Sequence, residues 1–316
     1  MSLTDSPAMH YPTSPIKVPR QYSHILLTHP GKIGDLIWAL SAAREVARKY
    51  TSGQVDLATS PYCRGLIPLL EHQEWIGSAI VLENWNVIFS APVVPVIPPP
   101  YFDSFGNPLE LRPVCGGPWD FVAHLGMRCW PSPTLLEYYP NLLRSEYGLS
   151  VEGSTSGWLE ARTFPPSSEI AICFSDEWVE LKAGLCAALA TAFPLETFRL
   201  LVSPQSRLAK EFRFPFQNFI THECDIVTMA DFMASSKLLV TCNSAPHPLA
   251  NALGVPTVVV EPSTPRHQEV FKSRRGKNVY HDGFDAREAN HAIDTGTSKS
   301  FIFHRSRRAV PNNELP

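Results

Sequence analysis

The stretch His24-Ile-Leu-Leu-Thr-His-Pro-Gly-Lys-Ile-Gly-Asp-Leu-Ile-Trp38 constrains this chain more than any other. Ile25 to Thr28 is a short apolar run that reads as a buried strand. A tight turn follows, carrying Gly31 and Gly34, and then a helix that opens at Asp35. Leu36, Ile37, Leu40, Ala43, Val46, Ala47 and Tyr50 recur at three- and four-residue spacing and give that helix one apolar face. Arg44, Glu45, Arg48 and Lys49 fall on the other. A strand, a glycine turn and a helix N-terminus together make an anion-binding corner, because free backbone N–H groups and the positive end of the helix dipole point into one crevice. His29, Gly31, Lys32 and Gly34 line it. Asp35 stands there either as a helix cap or as a chemically active carboxylate.

The rhythm continues. Gln54 to Thr59 reads as a second strand, Pro61 to Leu70 as a short helix and Ser78 to Glu83 as a third strand. This βαβαβ order belongs to an α/β fold with a parallel sheet. It recurs in Glu169–Phe174, the helix Leu181–Phe193, Thr197–Val202, a helix from Ser206, Phe219–Thr221, the helix Met229–Ser235 and Lys237–Thr241. A helix over 247–253 stopped by Gly254, and a strand over 256–260, complete the second half. With 316 residues there is room for two such units. The expected division is a flexible arm over 1–20, an N-terminal Rossmann-like domain over 21–165, a C-terminal one over 166–290 and a tail over 291–316. Pro165 and Pro166 mark the junction.

Residues 85–140 break the pattern. Many of the chain's 30 prolines fall there, and proline lacks the N–H that helix and strand interiors need. Trp119, Asp120, His124, Arg128 and Trp130 make the segment too rich in aromatics and isolated charges for a plain linker. It reads as an insertion that shapes a binding face for an acceptor, the alternative being that its aromatics cover the sheet.

Composition removes several function classes. The net charge of -3 gives no overall attraction to nucleic acid or anionic lipid. Arg305, Arg307 and Arg308 still leave open a phosphorylated or nucleic-acid acceptor, or a solvated tail. The seven cysteines stand singly with no C-x-x-C pair, which speaks against zinc ribbons and disulfide frameworks and for a reducing compartment. The beginning of the sequence has no apolar segment of a signal peptide, and no run approaches the ~20 residues of a membrane helix. A cytoplasmic protein is expected. No D-x-D or H-E-x-x-H spacing occurs, so neither a metal nor another cofactor is expected.

Two motifs carry a resemblance. Leu26 to Arg44 looks like the opening of the ADP-heptose heptosyltransferases of glycosyltransferase family 9, and Met229 to Pro265 looks like that family's donor-binding region. The likeness spans residues 22–82 and 168–270. It implies a GT-B fold, two doubly wound Rossmann-like domains facing a cleft, and an inverting, metal-independent transfer of a sugar from a nucleotide-diphosphate donor to an acceptor glycan or other hydroxyl. By resemblance, Asp35 takes the place of the catalytic base that removes the acceptor's proton, and Lys182 corresponds to a donor-binding lysine.

The donor motif departs from the family. Asn243 replaces an acidic residue, Ala245 a glycine and Pro248 a histidine, while His247 stands one place earlier. Asn243, Ser244 and His247 remain candidates for the diphosphate. Glu261 is read as a ribose ligand or a strand-end carboxylate, and Ser263 and Thr264 as phosphate contacts or a plain turn. Two other readings follow from these departures: a degenerate glycosyltransferase that only binds nucleotide-sugar, and, less favoured, a sugar-nucleotide epimerase.

Overall fold

A computed structural model describes residues 21–83, 87–90, 101–102, 108–109, 112–115, 118–126, 135–162, 164–175, 179–242, 244–260, 278–281 and 299–303. Arg128, Asn243, Glu261, Ser263, Thr264 and the arginines at 305, 307 and 308 lie outside the described residues, as do the N-terminal arm and much of the insertion.

The elements run β1 (Ile25–His29), α1 (Ile33–Tyr50), β2 (Val55–Thr59), a 3-10 turn (Pro61–Leu66), α2 (Ile67–Glu71), β3 (Ile76–Val81), β4 (Val87–Ser90), β5 (Tyr101–Phe102), β6 (Pro108–Leu109), β7 (Arg112–Cys115), β8 (Phe121–His124) and α3 (Leu135–Tyr147). They continue with β9 (Ile170–Cys173), α4 (Val179–Ala192), β10 (Phe198–Val202), α5 (Arg207–Glu211), β11 (Phe219–Glu223), α6 (Ile226–Ser235), β12 (Leu238–Thr241), α7 (Pro246–Leu253), β13 (Thr257–Val259), β14 (Asn278–His281) and β15 (Lys299–Phe303).

Two all-parallel sheets organise the chain. The first has the order β3-β2-β1-β8 and the second β11-β10-β9-β12-β13-β15-β14. The pair β4–β7 is parallel and β5–β6 antiparallel. In each main sheet every strand ends at the same edge, where the loops that lead into helices gather.

Several boundaries move. Helix α1 opens at Ile33, not Asp35, so Gly34 lies within its first turn. The segment read as an insertion supplies β8, which pairs with β1 through Leu27 and Ala123 and completes the first sheet. It also supplies α3, which contains Pro140. Leu135, Tyr139, Leu142, Leu143 and Tyr147 form a helical stripe, and burying it outweighs the one backbone bond that proline removes. The final strand falls at Lys299–Phe303 beside β13, a few residues before the basic cluster. Gly254 stops α7 as expected, with φ +74° and its N–H bonded to the carbonyls of Ala250 and Asn251.

Helices α4 and α6–α7 cover opposite faces of the second sheet. Ile170, Ile172, Leu200 and Val240 point to the α4 side. Ala171, Cys173, Leu201 and Leu239 point the other way and join Leu27, Ile37, Leu40 and Leu57 of the first half in one continuous core. The two sheets are therefore fastened together by α1 packing on α7, and by α2 and the 3-10 turn packing on α6. Each fully buried leucine or isoleucine there contributes about 1.5–3 kcal/mol.

The chain between the halves is stitched to both. Trp158, fully buried, donates from Nε1 to the carbonyl of Ile37 at 3.0 Å, while the N–H groups of Gly157 and Leu159 bond to Asn251 and Ala252 of α7. Arg162 grips the buried carboxylate of Asp231 through its backbone N–H at 2.9 Å and its Nε at 2.7 Å.

Candidate active site

The corner after β1 is fixed from three directions. The Gly31 N–H donates to Nδ1 of His29 at 3.0 Å. The Gly31 carbonyl accepts from Ser60 Oγ at 2.7 Å and from Cys63 Sγ at 3.5 Å. His29 then reaches α3, its Nε2 standing 3.0 Å from the Tyr139 hydroxyl. His29 is buried, and loss of water around its ring pushes its pKa down to about 3. The neutral ring supports the loop from beneath. That is a correction to its reading as a phosphate contact, because both nitrogens are committed and the ring has no open face.

Lys32 is the exposed N-cap residue, with extended backbone and no side-chain capping bond. Asp35 is half-buried in the first turn, at the positive end of an eighteen-residue helix. Its negative charge is felt by two buried neighbours. Burial raises the Cys63 thiol to about 11, with the Asp35 carboxylate adding to the effect. Burial likewise holds the Tyr139 phenol well above its ordinary value, and Asp35 again adds to it.

Facing this corner is the head of α7. A Cβ placed on Gly34 would stand 3.5 Å from Cα of Ala245 and 3.7 Å from Cγ of Pro248. The N-termini of α1 and α7 thus meet, and two positive helix ends converge beside one carboxylate. Ser244 lies immediately before α7, its hydroxyl 3.2 Å from Cys242 Sγ. The same sulfur accepts from the Ser175 N–H at 3.4 Å. Lys182 completes the group from α4. It is only 7% exposed, and Nζ donates to the Ser175 carbonyl at 2.7 Å and to Ser175 Oγ at 2.9 Å. Among the described residues no carboxylate lies within ion-pair distance of it. A buried ammonium held by neutral oxygens alone is costly, and an anionic ligand offsets that cost.

His247 is placed differently from expectation. It packs edge-on against Trp38 of α1, ring centroids 5.6 Å apart, in the seam between the halves. It is 3% exposed, and burial lowers its pKa to about 4. Its Nδ1 has no hydrogen-bond partner, nor has Nδ2 of Asn251 one turn later.

Three residues expected on an acceptor face are structural instead. The Asp120 carboxylate accepts from the N–H groups of Ser23 and His24, clamping the entrance to β1. Because β1 and β8 are parallel, Asp120 lies at the sheet edge opposite Asp35. Trp119 packs with Ile80 and Leu82 over Leu26, Ala58 and Val122, and its Nε1 donates to Asp56 at 2.7 Å. His124 is buried, with Nδ1 2.7 Å from Thr28 Oγ1. The aromatics here cover the sheet, because a parallel sheet needs both faces shielded.

Tyr139, Ser175 and Cys242 are site residues that the sequence reading missed. Lone hydroxyls and thiols carry no motif, and only the packing of α3 and α4 brings them to the crevice. Among the described residues no group of three or more His, Cys, Asp or Glu side chains forms a metal-ligand set.

No protein-family model and no curated protein matches the sequence. Solved structures do match. A glycosyl transferase family 9 protein from Veillonella parvula superposes with a TM-score of 0.55 at 14% identity, over 87% of this chain and 97% of that one. The E. coli heptosyltransferase WaaC with ADP-2-deoxy-2-fluoro heptose gives 0.53 at 13% identity, over 87% and 100%. The same enzyme with ADP gives 0.52 at 14%, over 86% and 97%. The fold is GT-B. The GT-B arrangement explains the geometry above: two Rossmann-like halves turn the carboxyl ends of their strands toward one another, so α1 and α7 present their N-termini to the same crevice.

Proposed function

We propose that this chain is an inverting, metal-independent glycosyltransferase with Asp35 as its general base. The observation that carries the reading is the meeting of two helix N-termini, with Asp35 on one side and, on the other, the buried Lys182 ammonium, which no described carboxylate reaches at ion-pair distance. A nucleoside-diphosphate sugar fits this pattern. Its diphosphate is held at the head of α7 by the backbone and by Ser244, with Lys182 close behind. The GT-B neighbours crystallised with ADP and an ADP-heptose analogue support an ADP-heptose-like donor. Asn243, Glu261, Ser263 and Thr264 are assigned to the donor by sequence resemblance alone.

In the reaction, the acceptor oxygen attacks the anomeric carbon from the face opposite the diphosphate. The new C–O bond forms as the bond to the diphosphate oxygen breaks. Asp35 receives the acceptor's proton, and the leaving diphosphate keeps the electron pair. The dipole of α7 and the Lys182 charge stabilise that growing negative charge. The α1 dipole keeps Asp35 ionised near neutral pH but weakens it as a base, so placement supplies most of its effect.

The test is a pair of measurements on Asp35→Asn. Thermal shift with ADP and ADP-heptose should report binding like the parent's, while transfer and slow donor hydrolysis disappear. Full turnover by the variant would sink the base assignment.

A second reading, a nucleotide-sugar-binding module without catalysis, draws on one observation. Pro248 occupies the position of the family's histidine and packs its ring on the Gly34 turn. Donor binding by the parent chain with no hydrolysis or transfer across a panel of acceptors would select it. Inversion of a sugar centre without acceptor would indicate an epimerase.

A further inference from the structure

The second sheet has an outer border that the crevice does not use. Strand β11 forms it, and Phe219, Thr221 and Glu223 alternate along that strand, so they share the face that α4 covers. The segment from α5 to β11, residues 212–218, wraps over this face. Pro215 keeps the segment out of a helix, and Asn218 ties it down. Asn218 Nδ2 donates toward the carbonyls of Ala190, Phe193 and Glu196, each 3.1 Å away, at the end of α4. Between segment and strand lies a preformed cavity of about 540 Å³, within the size range of small-molecule sites.

Its walls join an aromatic surface to two opposite charges. Phe214 stacks on Phe219 with ring centroids 4.8 Å apart, and Phe219 stacks on Phe198 at 6.2 Å. The inner two rings are buried, so the half-buried Phe214 is the outermost of the ladder. Arg213 and Glu223 both line the cavity. Arg213 gives one guanidinium N–H to the Ala209 carbonyl at 2.9 Å, which fixes the fork and leaves its other donors for the cavity. Among the described residues neither charge belongs to an ion pair. An anion in this cavity is repelled by Glu223, and a cation by Arg213. A neutral ring carrying hydroxyls suits both, because a hydroxyl donates to the carboxylate and accepts from the guanidinium. A sugar has that chemistry, with a C–H face to lay on an aromatic ring and hydroxyls around its rim.

We propose that this cavity is a binding site for a neutral oligosaccharide, with Phe214 as the stacking platform and Arg213, Thr221 and Glu223 as hydroxyl ligands. Glu223 ends β11 at the sheet edge shared with the donor corner, three strands and about 14 Å from β12. The site is therefore separate from the crevice and takes no part in bond making. It holds glycan whether or not Asp35 is a base, so the two readings fail independently.

Saturation-transfer NMR on the full chain tests this, with ADP filling the crevice and neutral trisaccharides of glucose, galactose, mannose and N-acetylglucosamine as probes. At least one should take up saturation from the protein, with an affinity that salt leaves unchanged because the ligand has no charge. Phe214→Leu keeps an apolar body but removes the ring face, and should weaken binding roughly two- to tenfold. Glu223→Gln, at an exposed position, should weaken it roughly tenfold. Both variants should bind ADP like the parent. Should Phe214→Leu fail to fold, Glu223→Gln decides alone. Failure of all four trisaccharides to bind would overturn the proposal. Binding undiminished by Glu223→Gln would overturn it too, because the sugar would then sit elsewhere.

Discussion

The two walls of the crevice are built on opposite principles. On the α1 side nearly every buried polar group has a partner: Gly31 is bonded at both ends, His29 at both nitrogens, and Ser60 and Cys63 converge on one carbonyl. On the α7 side the polar groups are under-committed. Lys182 rests on neutral oxygens, Cys242 and Ser244 touch only weakly, and His247 and Asn251 each keep a buried nitrogen without a partner. A fully satisfied wall holds one carboxylate in one place, as a base requires. An under-committed wall keeps its unspent donors for a ligand that brings its own oxygens. The same contrast separates Lys182 from Asp231, which is also buried but matched by Arg162 and so serves structure.

The sharpest way to break this comparison is at Asp35. Removing a well-placed general base costs roughly 10²- to 10⁴-fold in rate. Asp35→Ala should therefore lose transfer by that much while ADP affinity stays within a few-fold. If affinity falls instead, Asp35 belongs to the donor wall and the division fails.

Acid stability comes next, since each wall owns one imidazole whose pKa burial pushes far down. An unfolded histidine titrates near 6.5, whereas His29 waits until about 3 and His247 until about 4. Below pH 6.5 the unfolded chain binds protons that the native chain refuses. Stability is thus complete above that pH and falls as pH drops toward 3–4, by up to about 1.4 kcal/mol per unit for each ring. The two rings should then part company. His247→Phe removes an unpartnered nitrogen from an aromatic seam, and should relieve its share of the acid loss with little change at pH 7.5. His29→Phe strands the Gly31 N–H and leaves Tyr139 without its bond, so it should destabilise at every pH, by about 1–3 kcal/mol for each stranded group. Chemical denaturation at pH 7.5 and 5 distinguishes them. Equal behaviour of the two variants would erase the asymmetry.

Lys182→Met follows. The change keeps the stem and deletes a buried charge that no described carboxylate balances, so Tm should hold or rise. ADP affinity should fall roughly ten- to hundredfold, the value of a hydrogen bond to a charged group. Calorimetry with ADP and a melting curve read the two effects. A fall in both would make Lys182 a structural residue.

How much of this was legible in the sequence depended on range. The β1–corner–α1 unit was readable because strand, glycines and helical stripe lie in one stretch, and their periods follow from local geometry. The α7 head was readable for the same reason, with Pro246 opening the helix and Gly254 closing it. What failed was placement across the sheet. Asp120 and Trp119 sit among prolines and look available, but the parallel register of β8 carries them to the edge away from the corner. His124 looks like a ligand in a loop, yet it ends a strand whose neighbours bury it. Tyr139 was hidden by Pro140, which argues for a loop until α1 supplies the surface that α3 covers. Those outcomes are tertiary, and no short window of residues contains them.

The smallest effect tests the seam itself. Gly34 has ordinary helical φ, and an added methyl would meet Ala245 and Pro248 at 3.5 and 3.7 Å, which is normal van der Waals contact. Gly34→Ala should fit, and by helix propensity should gain up to about 1 kcal/mol. Gly34→Leu has no such room, because the space beyond the methyl is the backbone and proline ring that open α7. It should pry the two helix heads apart and weaken ADP binding and turnover together. An alanine variant that binds and turns over like the parent, beside a leucine variant that folds but does neither, would show that the close approach of the two N-termini is itself what the site requires. If leucine is tolerated in both assays, the walls act independently, and their nearness is only a consequence of packing.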